Sequence, residues 1–522
     1  MKQAANSVGT ASLILVLGFI GSRALGVVRN MVLASAFGAG PELDAYFAAF
    51  RLPDAIFQLL VGAALGSAFI PTFTTLFTRA SPDTAWRLAS TTLNLLTLLG
   101  GIAAAIAFVL APWLVPLTVP GFSQELQHLT IVLTQVMLLS SVFFCASGMV
   151  TGILNARFYF LLPAIAPWLY NLAIIGATLF FAEKLGTLGP AIGVTIGAAL
   201  HLLVQLPGLA KVGARYHLII NLSTEGLNEV FRLMGPRLLG LATIQVNWIV
   251  TTILASTLSS GNLAALNYAW TVTMLPLGIL GMAPATAAFP ALAQAAAEKD
   301  WVSYQRTLVT GLRLSLFLTI PASVGLMLLR EPLVALLFQH GLFEAESARL
   351  TSTALLFYAA GLFAHVVLEM VARGSYALSD TKTPFMFAVL GMVSHALLSL
   401  ALIGPMGVGG LALAMSVSAT LEAGGLLFTL SRRIKGFEWA ALGATCMRTL
   451  AATAVMGLAV SGFLALLFSG RQTLWQAFLV SVGGGLGVVV FLGTAVVLRS
   501  PELEHLRHQL RFRRSARALE KT

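Results

Sequence analysis

Apolar runs long enough to cross a lipid bilayer recur along this chain almost from end to end. A helix needs about 20 mostly apolar residues to span ~30 Å of hydrocarbon. Fourteen such stretches divide the sequence, at 6–36, 43–78, 86–116, 125–155, 159–182, 188–210, 227–257, 263–295, 305–329, 348–377, 384–403, 408–430, 447–468 and 473–498. Lipid offers backbone amides no partner, so a spanning segment must close its own hydrogen bonds as a helix or join a closed barrel. The alternating segments of a barrel are missing. The expected fold is therefore an all-α integral membrane protein with about fourteen transmembrane helices. Composition agrees, with 58% of the 522 residues hydrophobic and 10% charged, where soluble domains carry about 25% charged residues.

The apolar run that follows Met1 and Lys2 continues well past a signal-peptide core, which predicts an uncleaved first span. The net charge of +11 does not point to nucleic acid, because the basic residues lie in short inter-helix turns and at the C-terminus. With the N-terminus inside, the cytoplasmic turns hold Arg79, Arg87, Arg157, Lys211, Arg215, Lys299, Arg306, Lys382, Arg432, Arg433 and Lys435. The outer turns hold only Lys184, Arg330, Arg349 and Arg471. This asymmetry predicts both termini inside. The tail, with Arg507, Arg511, Arg513, Arg514 and Arg517, reads as a basic helix on an anionic membrane surface. Cys145 and Cys446 lie in apolar runs and suggest neither a disulfide nor a metal site. No nucleotide, zinc-protease or hydrolase motif is present, so neither an enzyme nor a cofactor is expected.

The chain repeats itself. "GAGPELDAYFAAFRLP" is echoed by "SGNLAALNYAWTVTMLP", with Tyr46 and Tyr268 lying 222 apart. Pro71 and Pro290 are 219 apart, Pro163 and Pro384 are 221 apart, and "GTLGPAIGVTIGAAL" from Gly186 returns as "GPMGVGGLALAMSVS" from Gly404, 218 on. Two six-helix lobes follow, 1–215 and 216–436, then two additional helices within 437–499 and the tail 500–522. Halves separated by an even number of spans share an orientation, which makes this a parallel repeat suited to alternating access.

One stretch violates the apolar rule: "SRALGVVRNMVLASAFGAGPELDAYFAAFRLPD" carries Arg23, Arg29, Asp44 and Arg51. A charge at the bilayer centre costs roughly 2.5–3.5 kcal/mol even on lenient scales. Arg23 and Arg29 are six residues apart, about 9 Å along a helix and 240° around it. They border a wide cavity better than one narrow stripe. The plain reading is that Asp44 pairs with an arginine and pins the hairpin. The functional reading is a basic vestibule for an anionic amphiphile, since planar guanidinium donors suit phosphate. Arg237, after Pro236 in the seventh span, either extends that lining or snorkels to the inner interface. Among the other intramembrane groups, Glu369 has Arg373 one turn away for a partner, whereas Glu422 has no arginine at helical spacing and is the candidate for a coupling ion. His201, His365 and His395 are read as packed residues.

The same stretch, together with "AFIPTF", "LMGPRLLG", "LNYAWTVTMLPLGILGMAPATAAFPAL", "LFQHGLF" and "ARGSYALSDTKTP", resembles the MurJ/MviN family of bacterial lipid II flippases in the MOP exporter superfamily. The resemblance runs from about residue 7 to 435, and the last two spans match the family's extra pair. It implies a two-lobed, V-shaped bundle in the cytoplasmic membrane, with Arg23, Arg29 and Asp44 on essential positions. The two arginines would engage the diphosphate of an undecaprenyl-linked glycan lipid, and cell-wall synthesis or division proteins would be the protein partners. The sequence departs from the family pattern where basic and acidic residues are usual. It carries Phe57, Gln58 and Gly62 in the second helix, and Trp270 and Thr271 in the eighth. Those departures keep two alternatives in view: an exporter of another polyprenyl-diphosphate glycan or small molecule, and a membrane scaffold for cell-wall enzymes.

Overall fold

The computed structural model describes residues 2–64, 68–434, 436–467 and 473–504, and the basic residues Lys435, Arg471 and Arg507 to Arg517 lie outside them. Among the described residues the chain is helix and turn, without strands. The helices are α1 (Lys2–Phe37), α2 (Pro41–Ala49), α3 (Arg51–Phe57), α4 (Ile70–Arg79), α5 (Pro82–Thr118), α6 (Gln124–Ala156), α7 (Leu161–Leu185), α8 (Leu188–Leu203), α9 (Leu206–Lys211) and α10 (Leu227–Ser256). They continue as α11 (Asn262–Pro276), α12 (Ala283–Ala297), α13 (Trp301–Phe338), α14 (Ala345–Ala360), α15 (Leu362–Ala377), α16 (Lys382–Met406), α17 (Val408–Arg433), α18 (Trp439–Leu467) and α19 (Thr473–Val497).

Twelve of the described helical segments are long and apolar enough to span a membrane, and α14 with α15, bent by 44°, would be a thirteenth. The expected second span, 43–78, is instead broken into α2, α3, a π-helical turn Gln58–Gly62 and α4. A second π-helical turn, Leu277–Met282, joins α11 to α12. Such turns leave i→i+4 bonds unmade and re-aim the side chains beyond them.

The duplication read from the sequence recurs element by element. The second π-helical turn begins 219 residues after the first, α13 begins 219 after α5, α14 begins 221 after α6, α16 begins 221 after α7, and α17 begins 220 after α8. Even the tight corners repeat. Gly186 between α7 and α8 has φ +55° and ψ −140°, and Gly407 between α16 and α17 has φ +53° and ψ −128°. That region is open to glycine and costs other residues about 1–3 kcal/mol. Phe158 and Ser379, 221 apart, share φ +58°. Polar caps start three of the long helices, α5, α6 and α13: Ser81 accepts from Thr84 N, Ser123 from Leu126 N and Asp300 from Ser303 N.

The chain packs as two compact units, 1–267 with 340–347, and 268–339 with 348–522. In the first, Phe69, Phe73, Trp86 and Leu88 form a core with Met149, Leu227, Val230 and Met234, so α10 belongs to this unit although it opens the second sequence half. Residues 340–347 join it through Leu342 N–H to Ser35 O (2.9 Å) and Ala39 N–H to Ser347 Oγ (3.3 Å). In the second unit, Tyr304, Leu308, Leu312, Val371 and Leu426 form the main core. The additional helices α18 and α19 dock on α13 through Phe317, Leu329, Met456 and Phe491.

Candidate functional site

The intramembrane arginines of α1 are half-buried. The Arg23 guanidinium lies 5.1 Å from the centre of the Phe19 ring, one turn earlier. Arg29 donates from Nε and Nη2 to Asn30 Oδ1 at 3.2 and 3.1 Å, and Asn30 is itself 1% exposed. Among the described residues, neither Arg23 nor Arg29 nor the exposed Arg237 makes an ion pair. The two α1 charges therefore stand in an apolar helix with their compensation incomplete.

Asp44 shows something the sequence did not suggest. The ion pair of the plain reading is not formed: among the described residues Asp44 has no basic partner. Its carboxyl group is buried, and Oδ2 accepts from Gly261 N at 2.6 Å while Oδ1 accepts from Ala264 N at 2.7 Å. These are unpaired donors at the start of α11, so Asp44 caps a helix 220 residues away and meets the positive end of its dipole. Gly261 has φ +89°, and a Cβ there would collide with the Ala39 carbonyl, so glycine is what lets the α1–α2 corner come this close.

Arg51, at the start of α3, is held by α10. Its Nε donates to Thr252 Oγ1 at 2.7 Å, and its guanidinium lies 4.8 Å from the centre of the Trp248 ring. One turn further, Asp54 Oδ2 accepts from Gln245 Nε2 at 3.3 Å. Gln245, Trp248 and Thr252 occupy one face of α10 at i, i+3 and i+7. This polar seam escaped the sequence reading, although Asp54 stands three residues after Arg51 in the same charged stretch. The structure thus brings Arg51 and Asp54 onto α10 and Asp44 onto α11, and leaves Arg23, Arg29 and Arg237 apart from both contacts.

Two of the positions that depart from the family pattern, Phe57 and Trp270, are filled by aromatic packing. Phe57 contacts Phe144 (ring centres 5.4 Å apart), which contacts Tyr170 (5.1 Å) and His201 (5.5 Å). Trp270 packs on Tyr358 (5.2 Å) and His365 (5.5 Å). His201 is also hydrogen-bonded by Ser147 at 2.6 Å. Glu369 and Arg373 pair on α15, and Arg373 also donates to Thr286. Glu422 lies on α17 in the second unit, with no ion pair among the described residues.

A family model described as "Lipid II flippase MurJ" matches residues 33–479. The chain is 31% identical over 423 residues to a lipid II flippase MurJ of Burkholderia cenocepacia, covering 80% of this chain and 82% of that one. It is 32% identical over 415 residues to a probable lipid II flippase MurJ of Vibrio cholerae, covering 77% and 78%. Among solved structures it is similar to an inward closed conformation of a lipid II flippase MurJ, with TM-score 0.78 and 24% identity, over 93% of this chain and 98% of that one. It also shares its fold with an inward-facing multidrug-resistance MATE transporter of the MOP superfamily, with TM-score 0.70 and 17% identity, over 82% and 99%.

Proposed function

Because the chain belongs to the lipid II flippase MurJ family, we propose that it carries lipid II, an undecaprenyl-diphosphate-linked peptidoglycan precursor, from the inner to the outer leaflet of the cytoplasmic membrane by alternating access. The observation that carries this reading is the pair Arg23 and Arg29, two guanidinium groups in a membrane helix that no acid among the described residues neutralises. Uncompensated charge in hydrocarbon is unfavourable, and a diphosphate supplies what is missing by bidentate hydrogen bonding. Arg51 acts as a positioning residue, since α10 already occupies its guanidinium. Arg237 adds positive potential from α10.

Both termini are placed in the cytoplasm by the positive-inside asymmetry, which puts the α1–α2 corner and the α10–α11 turn at the outer end. An inside-negative potential favours outward movement of a dianionic headgroup by about 4.6 kcal/mol at 100 mV.

The deciding experiment is rescue of cells depleted of their own lipid II flippase. The wild-type gene restores growth, whereas Arg23→Ala and Arg29→Ala, present in the membrane at wild-type levels, do not. Full rescue by both variants would refute the diphosphate assignment. The aromatic packing at Phe57 and Trp270 favours one second reading, transport of a different polyprenyl-diphosphate glycan. Native mass spectrometry decides between them by whether lipid II or another lipid co-purifies.

A further inference from the structure

Glu422 lies outside everything described for the arginines, and it faces a gap made for it. Helices α16 and α17 pack antiparallel in a register set by three contacts: Phe387 against Gly425, Gly391 against Glu422, and Leu402 against Gly410. A Cβ on residue 391 would stand 2.7 Å from Glu422 Oε2, so the glycine is a notch that admits the carboxyl group to the α16 backbone. The notch begins a polar face, since Gly391, His395 and Ser399 follow one another at i, i+4 and i+8. The antiparallel register places His395 level with residues 417 and 418, one turn (about 5.4 Å) from Glu422.

His395 is 1% exposed, and both ring nitrogens are buried without a hydrogen-bond partner. The Ser399 hydroxyl, 0% exposed, also lacks one. Among the described residues the Glu422 carboxyl makes neither hydrogen bond nor ion pair. Buried polar groups are almost always satisfied, and exceptions mark function or an absent small ligand. Among the described residues no other charge pairs with this one. On α15, Glu369 is taken by Arg373, which turns to Thr286, and His365 lies against Trp270. On α17 itself, Arg433 is paired with Asp380, eleven residues and about 16 Å away. On α16, His395 is the one titratable group within the span, with Lys382 at the helix start.

We propose that Glu422 and His395 form a proton-binding site within the α16–α17 pair, its occupancy coupled to the conformation of these two helices. The Glu422 carboxylate takes a proton from water to become a neutral acid, which removes the cost of an unpartnered charge, and His395 tunes that step through a neighbouring imidazole. The donor set suits a proton better than an alkali cation, because one carboxyl, one imidazole and one hydroxyl supply few oxygens. The proposal adds to the flippase reading without resting on it, since the site is read with no lipid substrate present.

Infrared difference spectroscopy of the full-length protein in nanodiscs, titrated with acid and base, tests it. The expected result is a carboxylic-acid carbonyl band that disappears on alkalinisation and is lost in Glu422→Gln. In His395→Gln its midpoint should shift, because the imidazole one turn away changes the polarity around the carboxyl group. A band unchanged in Glu422→Gln, or a midpoint indifferent to His395→Gln, overturns the proposal. So does a band that answers to sodium at fixed pH but not to pH. Unaltered thermal unfolding of both variants excludes misfolding as the cause of a loss.

Discussion

Replacing Asp44 by Asn tests whether a long-range helix cap organises the α1–α2 corner. The substitution keeps the shape and changes one of two oxygens into an NH2 group. Both oxygens are in use, at 2.6 Å to Gly261 N and 2.7 Å to Ala264 N, in a site 2% exposed. Either orientation of the amide therefore points a donor at a donor. One buried N–H left unsatisfied costs about 1–3 kcal/mol, and the lost interaction with the α11 dipole adds roughly 0.3–1 kcal/mol. The sum, about 1.3–4 kcal/mol, converts at about 1.4 kcal/mol per tenfold to local opening roughly 8- to 700-fold more frequent. Hydrogen–deuterium exchange followed by mass spectrometry reads this directly on peptides covering Gly261 to Ala264. Exchange there should accelerate within that range, while peptides from α18 and α19 stay unchanged. Identical exchange in wild type and Asp44→Asn would refute the cap as a stabilising contact.

Arg51→Ala removes a charged hydrogen bond to Thr252 and the stacking on Trp248; a loss of about 2–4 kcal/mol in the docking of α3 on α10 is expected. A double-mutant cycle with Thr252→Val should return a non-zero coupling, and strict additivity would contradict the contact. Glu502, beyond the last span, is 5% exposed. Burial pushes its carboxyl up, but the Thr445 and Ser500 hydroxyls and the Arg313 guanidinium outweigh this and hold it below its ordinary 4.5. A folded-state value below the unfolded one contributes stability that is complete above about pH 4.5 and is lost as pH falls through the lower folded value. Thermal unfolding from pH 7 to pH 3 should therefore show an acid loss that Glu502→Gln flattens, and parallel profiles would exclude the effect.

The departures at Phe57 and Trp270 show how far a one-dimensional reading reaches. Sequence alone registers that usual charges are replaced, because residue type is local information. It gives no hint that Phe57 completes a stack with Phe144, Tyr170 and His201, which come from three separate helices. Glu369 and Arg373 were legible as a pair for the opposite reason, since their spacing along one helix fixes their proximity.

What the chain determined by itself follows from solvent and period: lipid forces every spanning segment to close its own hydrogen bonds, so apolar runs mark out helices, and an offset near 220 marks the repeat; the break in the second expected span and the match of Gly186 with Gly407 came from the structure. Packing alone decided that Asp44 caps α11, that Arg51 leans on Trp248, that α10 joins the first unit, and that Glu422 meets the α16 backbone at Gly391. Helical periodicity carries information over a few turns of one helix. The partner of a side chain 200 residues away is set by how two helices register against each other, which depends on where a glycine admits close approach and where an aromatic ring forbids it.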